Sequence, residues 1–219
     1  IVRDTDVHDN MPQHDGACGY GIKASDGARL SAFRSSCTRN TGAGVLAMEP
    51  GTDMLLEQCI VQNTQLHQPS GQAAGVIAAQ GAALHITGTD VRANLNTGLA
   101  VHDTGTYVEL RDSTIRDTVF EGLGQSAAGI EVAFGAALDV ENTLIAGNSV
   151  VGILAASKGT AVHLVNSEIS GTLLGHKLQS ALAYGILAEH QAEVTATGLL
   201  VQNNEGPGLY AVVPGTAVT

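Results

Sequence analysis

Residues 98–115 hold Gly98-Leu99-Ala100-Val101, a turn at Gly105, Val108-Glu109-Leu110, and Ser113-Thr114-Ile115. Apolar and polar positions alternate in bursts of about four residues, each broken by turn residues. Period-two bursts of that length cannot hold a helix together, but they suit half-buried strands. Three such bursts before the pattern restarts make one lap of three short strands.

The lap recurs along the whole chain. Glycine followed by an aliphatic residue, any residue, then Ala or Val stands at Gly21, Gly44, Gly75, Gly98, Gly129, Gly152, Gly185 and Gly208, at spacings of 23, 31, 23, 31, 23, 33 and 23. Self-similarity at a fixed period marks a stacked repeat, and the alternation makes the unit a double lap of about 54 residues. Three aliphatic columns are expected inside. The first is Ile22, Val45, Val76, Leu99, Ile130, Ile153, Ile186 and Leu209; the second is Leu84, Val108, Leu138 and Val162; the third is Val91, Ile115, Ile145 and Ile169.

A 23-residue lap closes on itself, and laps stacked at about 4.8 Å pair every backbone amide with the coils above and below. The predicted fold is an all-β parallel solenoid of eight coils with alternating short and long corners. Its tight corner needs a residue that tolerates left-handed backbone and bonds to the next coil, which Asn does best. Asn40, Asn94, Asn148 and Asn203 fall there on alternate coils, with Asn63 on another, and Thr5, Thr118 and Thr172 where the corner is expanded. The long corners, 6–20, 65–74, 119–128 and 173–184, project from one edge, and the last carries the best signal for a helical turn.

Composition bounds the partners. The 219 residues form a single domain, 1–219, and contain no Trp, 3% aromatics and 27 Gly, so Val, Ile, Leu and Ala must fill the core. A net charge of -11 argues against nucleic acid and would repel polyuronates unless a cation intervened. No run reaches the length of a membrane span. Cys18, Cys37 and Cys59 lack zinc-site spacing, and the last two are expected as buried thiols. The chain opens at Ile1, within a repeat, and is expected to be a piece of a longer protein. Unpaired strand edges at its ends predict end-to-end self-association.

At these columns and corners the sequence resembles the right-handed parallel β-helix superfamily with the pectin-lyase-like fold, over essentially all its length. The closest likeness is to repetitive β-helix regions of large secreted bacterial proteins. The resemblance implies right-handed winding, a secreted or cell-surface setting, and polysaccharides or surface proteins as partners. It fixes no chemistry, because one fold hosts many functions. The Asn-Thr-Asp, Asp-Asp, Gly-His-Gly and Arg-Ile-Lys runs of polygalacturonase-like enzymes are absent from the sequence.

Three sets of residues are candidates for a site. Asp26, Glu49, Gln80 and Asp103 follow successive anchor glycines by five residues, and carboxylates stacked at strand spacing would repel unless a cation such as Ca²⁺ lay between them. His8, Asp9, His14, Asp15, His67, Glu121 and His176 lie on the long-corner edge, where His67 and His176 are possible ligand contacts. Arg92 and Arg116 occupy one outward position on neighbouring coils, with Arg3 equivalent, and fit either surface ion pairs or a clamp for a sugar carboxylate. His85, His102 and His163 are expected to face solvent without sharing a column. Outward positions Lys23, Leu46, Ile77, Ala100, Glu131, Leu154, Leu187 and Tyr210 are unusually apolar, and cover by Leu66, Phe120, Leu123 and Leu178 explains them best.

Two functions follow. The first is a non-catalytic extracellular β-helix module, a rigid scaffold or contact surface, warranted by the unbroken repeat. The second is a polysaccharide lyase, epimerase or glycoside hydrolase. No cofactor is indicated beyond Ca²⁺.

Overall fold

The computed structural model describes residues 1–12, 18–67, 71, 73–120, 127–174 and 183–219. Its strands fall into three wholly parallel sheets, each taking every third strand in chain order. The glycine-led sheet has eight strands from Ile22–Ala24 to Leu209–Val212, the second sheet nine from Val2–Arg3 to Ala217–Val218, and the third sheet eight from Asp6–His8 to Leu200–Gln202. No helix occurs among the described residues. The expected helical turn in the last corner lies largely at 175–182, outside them. The first long corner begins later than expected, because Asp6–His8 is a strand of the third sheet.

The expected columns are in register. Leu84, Val108, Leu138 and Val162 pair in sequence, as do Val91, Ile115, Ile145 and Ile169, and all eight are fully buried. The glycine-led column is buried from Ile22 to Ile186 and opens at Leu209, which is 51% exposed. Cys37 and Cys59 are buried thiols, and burial, with Cys59 nearby, pushes the Cys37 thiol up to about 12.

The anchor glycines are required by close approach, since none of them has positive φ. A Cβ on Gly98 would come within 2.5 Å of the Gly129 carbonyl oxygen and 2.7 Å of Ile115 Cγ2. On alternate coils the corner asparagine is the obstacle, as Asn94 Nδ2 is for Gly75.

Three polar ladders tie the corners together. Asn94 Oδ1 accepts from the backbone and hydroxyl of Thr64, and Asn148 Oδ1 from those of Thr118. The third-sheet corner runs a hydroxyl chain in which Cys59, Thr89, Ser113 and Thr143 each receive their neighbour's side-chain oxygen at the backbone N–H. At the remaining corner Thr52, Thr106, Thr160 and Thr216 accept from the backbone of Gly27, Gly81, Gly135 and Gln191.

Three corner assignments change: at the coil where Asn63 was expected the ladder residue is Thr64, which bonds to Asn94. Asn204, and not Asn203, bonds to the coil below, through the Thr172 N–H, because the preceding coil is two residues longer than the others of its kind. Thr5 belongs to the hydroxyl chain, where its N–H donates to Ser35 Oγ. The left-handed backbone sits one residue before each ladder position, at Arg39, Asn63, Ala93, Asp117, Gly147, Gly171 and Asn203. The ladder asparagines use their amides for the bond between coils, and their neighbours absorb the turn.

Candidate functional site

Two of the turn carboxylates bond along the turn stack at the surface. Glu49 Oε2 accepts from the Asp26 N–H at 2.9 Å, and Asp103 Oδ2 from the Gln80 N–H at 3.1 Å. Asp26, Glu49, Gln80 and Asp103 all adopt positive φ, and the Glu49 and Asp103 side chains close the turn of the coil below, while the Asp26 carboxylate accepts from Ser25 Oγ. Among the described residues no group of three or more His, Cys, Asp or Glu is gathered as metal ligands.

The two arginines converge on one carboxylate. Arg92 Nη1 lies 2.6 Å from Asp90 Oδ2 and its Nε donates to Gln62 at 2.8 Å. Arg116 grips Asp90 with Nε and Nη2 at 3.2 and 3.0 Å and reaches Asp117 with Nη1 at 2.8 Å. The Asp90 contact raises the Arg116 guanidinium above its ordinary value. A sugar carboxylate at this spot has to displace Asp90. Arg3 stands apart, over the Phe33 ring at 4.5 Å.

On the long-corner edge, His67 is 3% exposed and sits inside the fold rather than on the surface. His8 and Asp9 pair at 2.7 Å, and Arg39 binds the same carboxylate at 2.6 Å. Those hydrogen bonds, Arg39 first, hold the Asp9 carboxyl down at about 2. His14, Asp15, Glu121 and His176 lie outside the described residues.

Sequence reasoning missed a row on the outer face of the second sheet. His85, Glu109, Asp139 and His163 are successive register partners, so His85 and His163 do share a column. Each stands on a strand whose alternate residues fill the core, which turns these four outward. His85 Nδ1 meets Glu109 Oε2 at 3.0 Å, and Arg111 bridges Glu109 and Glu141 at 2.5 and 3.1 Å. The His85 hydrogen bond, with Arg111 beside it, keeps the Glu109 carboxyl below its usual value. Tyr107 Oη donates to Asp139 at 2.6 Å, and burial followed by this bond pushes the phenol up to about 12. His163 Nδ1 contacts the Thr195 hydroxyl.

Beside the row, Arg111, Asp139, Glu141, His163 and Val165 line a depression of about 260 Å³. It continues over His163 and Val165 to Thr195 and Thr197. The signal for this surface was present in the sequence, as titratable residues at alternate positions of the second strand in consecutive laps.

The third histidine differs. His102 closes the strand Thr97–His102 of the glycine-led sheet, with its side chain 28% exposed and its Nε2 3.3 Å from Glu131 Oε1. It is on the outer face as alternation implies, but half-buried there, with its Nε2 covered. The apolar outer face around it is buried at Leu46, Ile77, Ala100 and Leu154 and opens at Tyr210. Tyr20 packs on the first part of that face and Tyr184 on the second. Leu66 and Phe120 are half-buried, and Leu123 and Leu178 are outside the described residues.

The right handed beta helix region, as a family, matches residues 1–169, and the chain belongs to it. Its architecture is that of the pectin-lyase-like parallel β-helix. Among solved structures it is similar to the crystal structure of pectate lyase Pel9A, with a TM-score of 0.52 and 10% identity over 98% of this chain and 68% of that one. It is also similar to QnrB1, a plasmid-mediated fluoroquinolone resistance protein, with a TM-score of 0.34 and 13% identity over 99% of this chain and 92% of that one. No curated protein matches. At 10% identity the likeness to the pectate lyase is one of fold.

Proposed function

We propose that the chain is a non-catalytic, rigid β-helix module of a secreted or cell-surface protein, presenting the outer face of its second sheet to an extended polysaccharide. The observation that supports this most is the axial row His85, Glu109, Asp139, His163, with imidazole and carboxylate groups repeated at strand spacing of about 4.8 Å along an open depression. Such a row offers hydrogen bonds at regular intervals to a chain of hydroxyl-bearing units. The charge of -11 favours neutral or amine-bearing glycans over polyuronates.

A second reading, a polysaccharide-active enzyme, is favoured by one feature. Glu109 and Asp139 are carboxylates on adjacent register positions, and glycosidase chemistry uses two carboxyl groups a short distance apart.

A glycan array, read with and without Ca²⁺, tests the first reading. Binding to a polysaccharide class that is lost on combining Glu109→Gln, Asp139→Asn and His163→Ala supports it. Binding that ignores these changes, or none at all, contradicts it. Incubation with the bound glycan and measurement of new chain ends separates the readings, since only an enzyme shortens its ligand.

A further inference from the structure

The outer face of the second sheet carries two columns side by side. One is the row from His85, which continues past His163 to Thr195; the other runs Arg111, Glu141, Val165 and Thr197. The strands of this sheet and the turns that flank them lie wholly within the described residues. Two depressions, of about 260 and 320 Å³, meet at His163 and Val165 and make one groove along the columns.

Val165 is the one aliphatic side chain among these outward positions, and it is 39% exposed. Its register partners are polar, Glu141 one coil below and Thr197 one coil above. Arg111 Nη1 holds Glu141 Oε2 at 3.1 Å, while Glu141 Oε1 and the Thr197 hydroxyl have no hydrogen-bond partner among the described residues. An acceptor and a donor thus bracket an apolar patch. They stand two coils apart, about 10 Å, which is room for two hydrogen bonds of about 2.9 Å with an amide group between them.

We propose that the groove holds the acetamido group of an N-acetylated hexosamine, which makes a polymer of such sugars the preferred ligand of this face. The inference rests on the polysaccharide reading of the face and names its sugar. A planar trans amide points its N–H and C=O in opposite directions. The N–H donates to Glu141 Oε1, the carbonyl accepts from the Thr197 hydroxyl, and the acetyl methyl packs on Val165. The methyl and the sugar ring leave the amide on opposite sides, which sends the ring across to Asp139 and His163. Being neutral, the amide leaves Arg111 paired with Glu109 and Glu141. An ammonium sugar competes with Arg111 for Glu141, and a uronate meets the carboxylates of Glu109, Asp139 and Glu141.

The test measures binding of matched tetrasaccharides of N-acetylglucosamine, glucosamine and glucose to the native protein, by calorimetry and at the Val165 methyl signals. The acetylated chain is expected to shift those methyls saturably and to bind about tenfold or more tighter than the glucose chain, as one apolar group in a fitted site is worth. Val165→Thr keeps the shape but puts a hydroxyl where the methyl packs, and removes the preference. Thr197→Val weakens the acetylated chain about fivefold, and decides the matter if Val165→Thr fails to fold. Equal affinities for the acetylated and glucose chains, tighter binding of the glucosamine chain, or a preference that survives Val165→Thr overturns the subsite and leaves the polysaccharide face standing. Binding of none of the three also overturns the subsite, and the glycan array then tests the wider reading alone.

Discussion

Asn94 Oδ1 accepts two hydrogen bonds from Thr64, one coil below, from the backbone N–H at 3.0 Å and from the hydroxyl at 2.8 Å. Its Nδ2 donates to the Val61 carbonyl at 3.0 Å, and the residue is 1% exposed. Asn94→Ala therefore orphans buried groups on the coil beneath. A loss of about 3 kcal/mol or more is expected in denaturant unfolding, since each buried unsatisfied group costs about 1–3 kcal/mol. Asn203→Ala, at an exposed position with φ 57°, is expected to cost about 1 kcal/mol, the strain of left-handed backbone alone.

The glycine column separates close approach from conformational freedom. Gly98→Ala drives a Cβ to 2.5 Å from the Gly129 oxygen and 2.7 Å from Ile115 Cγ2. A destabilisation of about 1–3 kcal/mol is expected, as for overpacked cores. In the same column a Cβ on Gly208 meets nothing nearer than Val201 Cγ1 at 3.3 Å. Gly208→Ala should change the melting temperature little, within the roughly 0.5 kcal/mol usual for benign sites.

Ser113 Oγ donates to the Arg111 carbonyl at 2.6 Å and accepts from the Thr89 N–H at 3.1 Å. Ser113→Ala breaks the hydroxyl chain mid-length and is expected to cost about 1–3 kcal/mol. Ser113→Thr keeps both bonds, as Thr89 and Thr143 do at equivalent positions, and should unfold close to the native protein.

Cys37 is one of several groups, with Cys59, Tyr20 and Tyr107, whose raised folded pKa makes stability fall at alkaline pH. Its folded pKa is raised from 9.0 to about 12 by burial, with Cys59 contributing. A raised folded pKa means that the stabilisation is complete below the unfolded value of 9.0 and is lost as pH rises towards 12. Melting temperature should therefore fall over that window, and Cys37→Val, beside Val7 and Val61, should flatten the fall while leaving neutral-pH stability nearly unchanged. A slope identical in the two proteins contradicts the assignment.

The fold was legible because its columns obey strict period two: Val108 and Ile115 repeat inward lap after lap. Distinguishing Asn204 from Asn203 was not, since one coil carries two extra residues and spacing alone does not say where they enter. The ladder of Thr52, Thr106, Thr160 and Thr216 was visible as a recurring Gly-Thr pair, but a hydroxyl in a turn has many ordinary uses. For His102 alternation told which side of the strand it takes, but not that this side is partly covered. The row from His85 to His163 needed register across laps of two lengths, which only pairing supplies.

The outward row exists only if the second sheet climbs in register, one strand per lap. Glu57, Thr87, Arg111, Glu141, Val165 and Thr197 are successive partners on that sheet. Five steps at about 4.8 Å put Glu57 and Thr197 roughly 24 Å apart. Spin labels at these two positions, in a background lacking Cys18, measure the distance directly by dipolar spectroscopy. A single narrow distribution between roughly 20 and 35 Å, label tethers included, is the expected result. A broad distribution, or a separation well beyond that range, contradicts the stacked register and removes the contact surface with it.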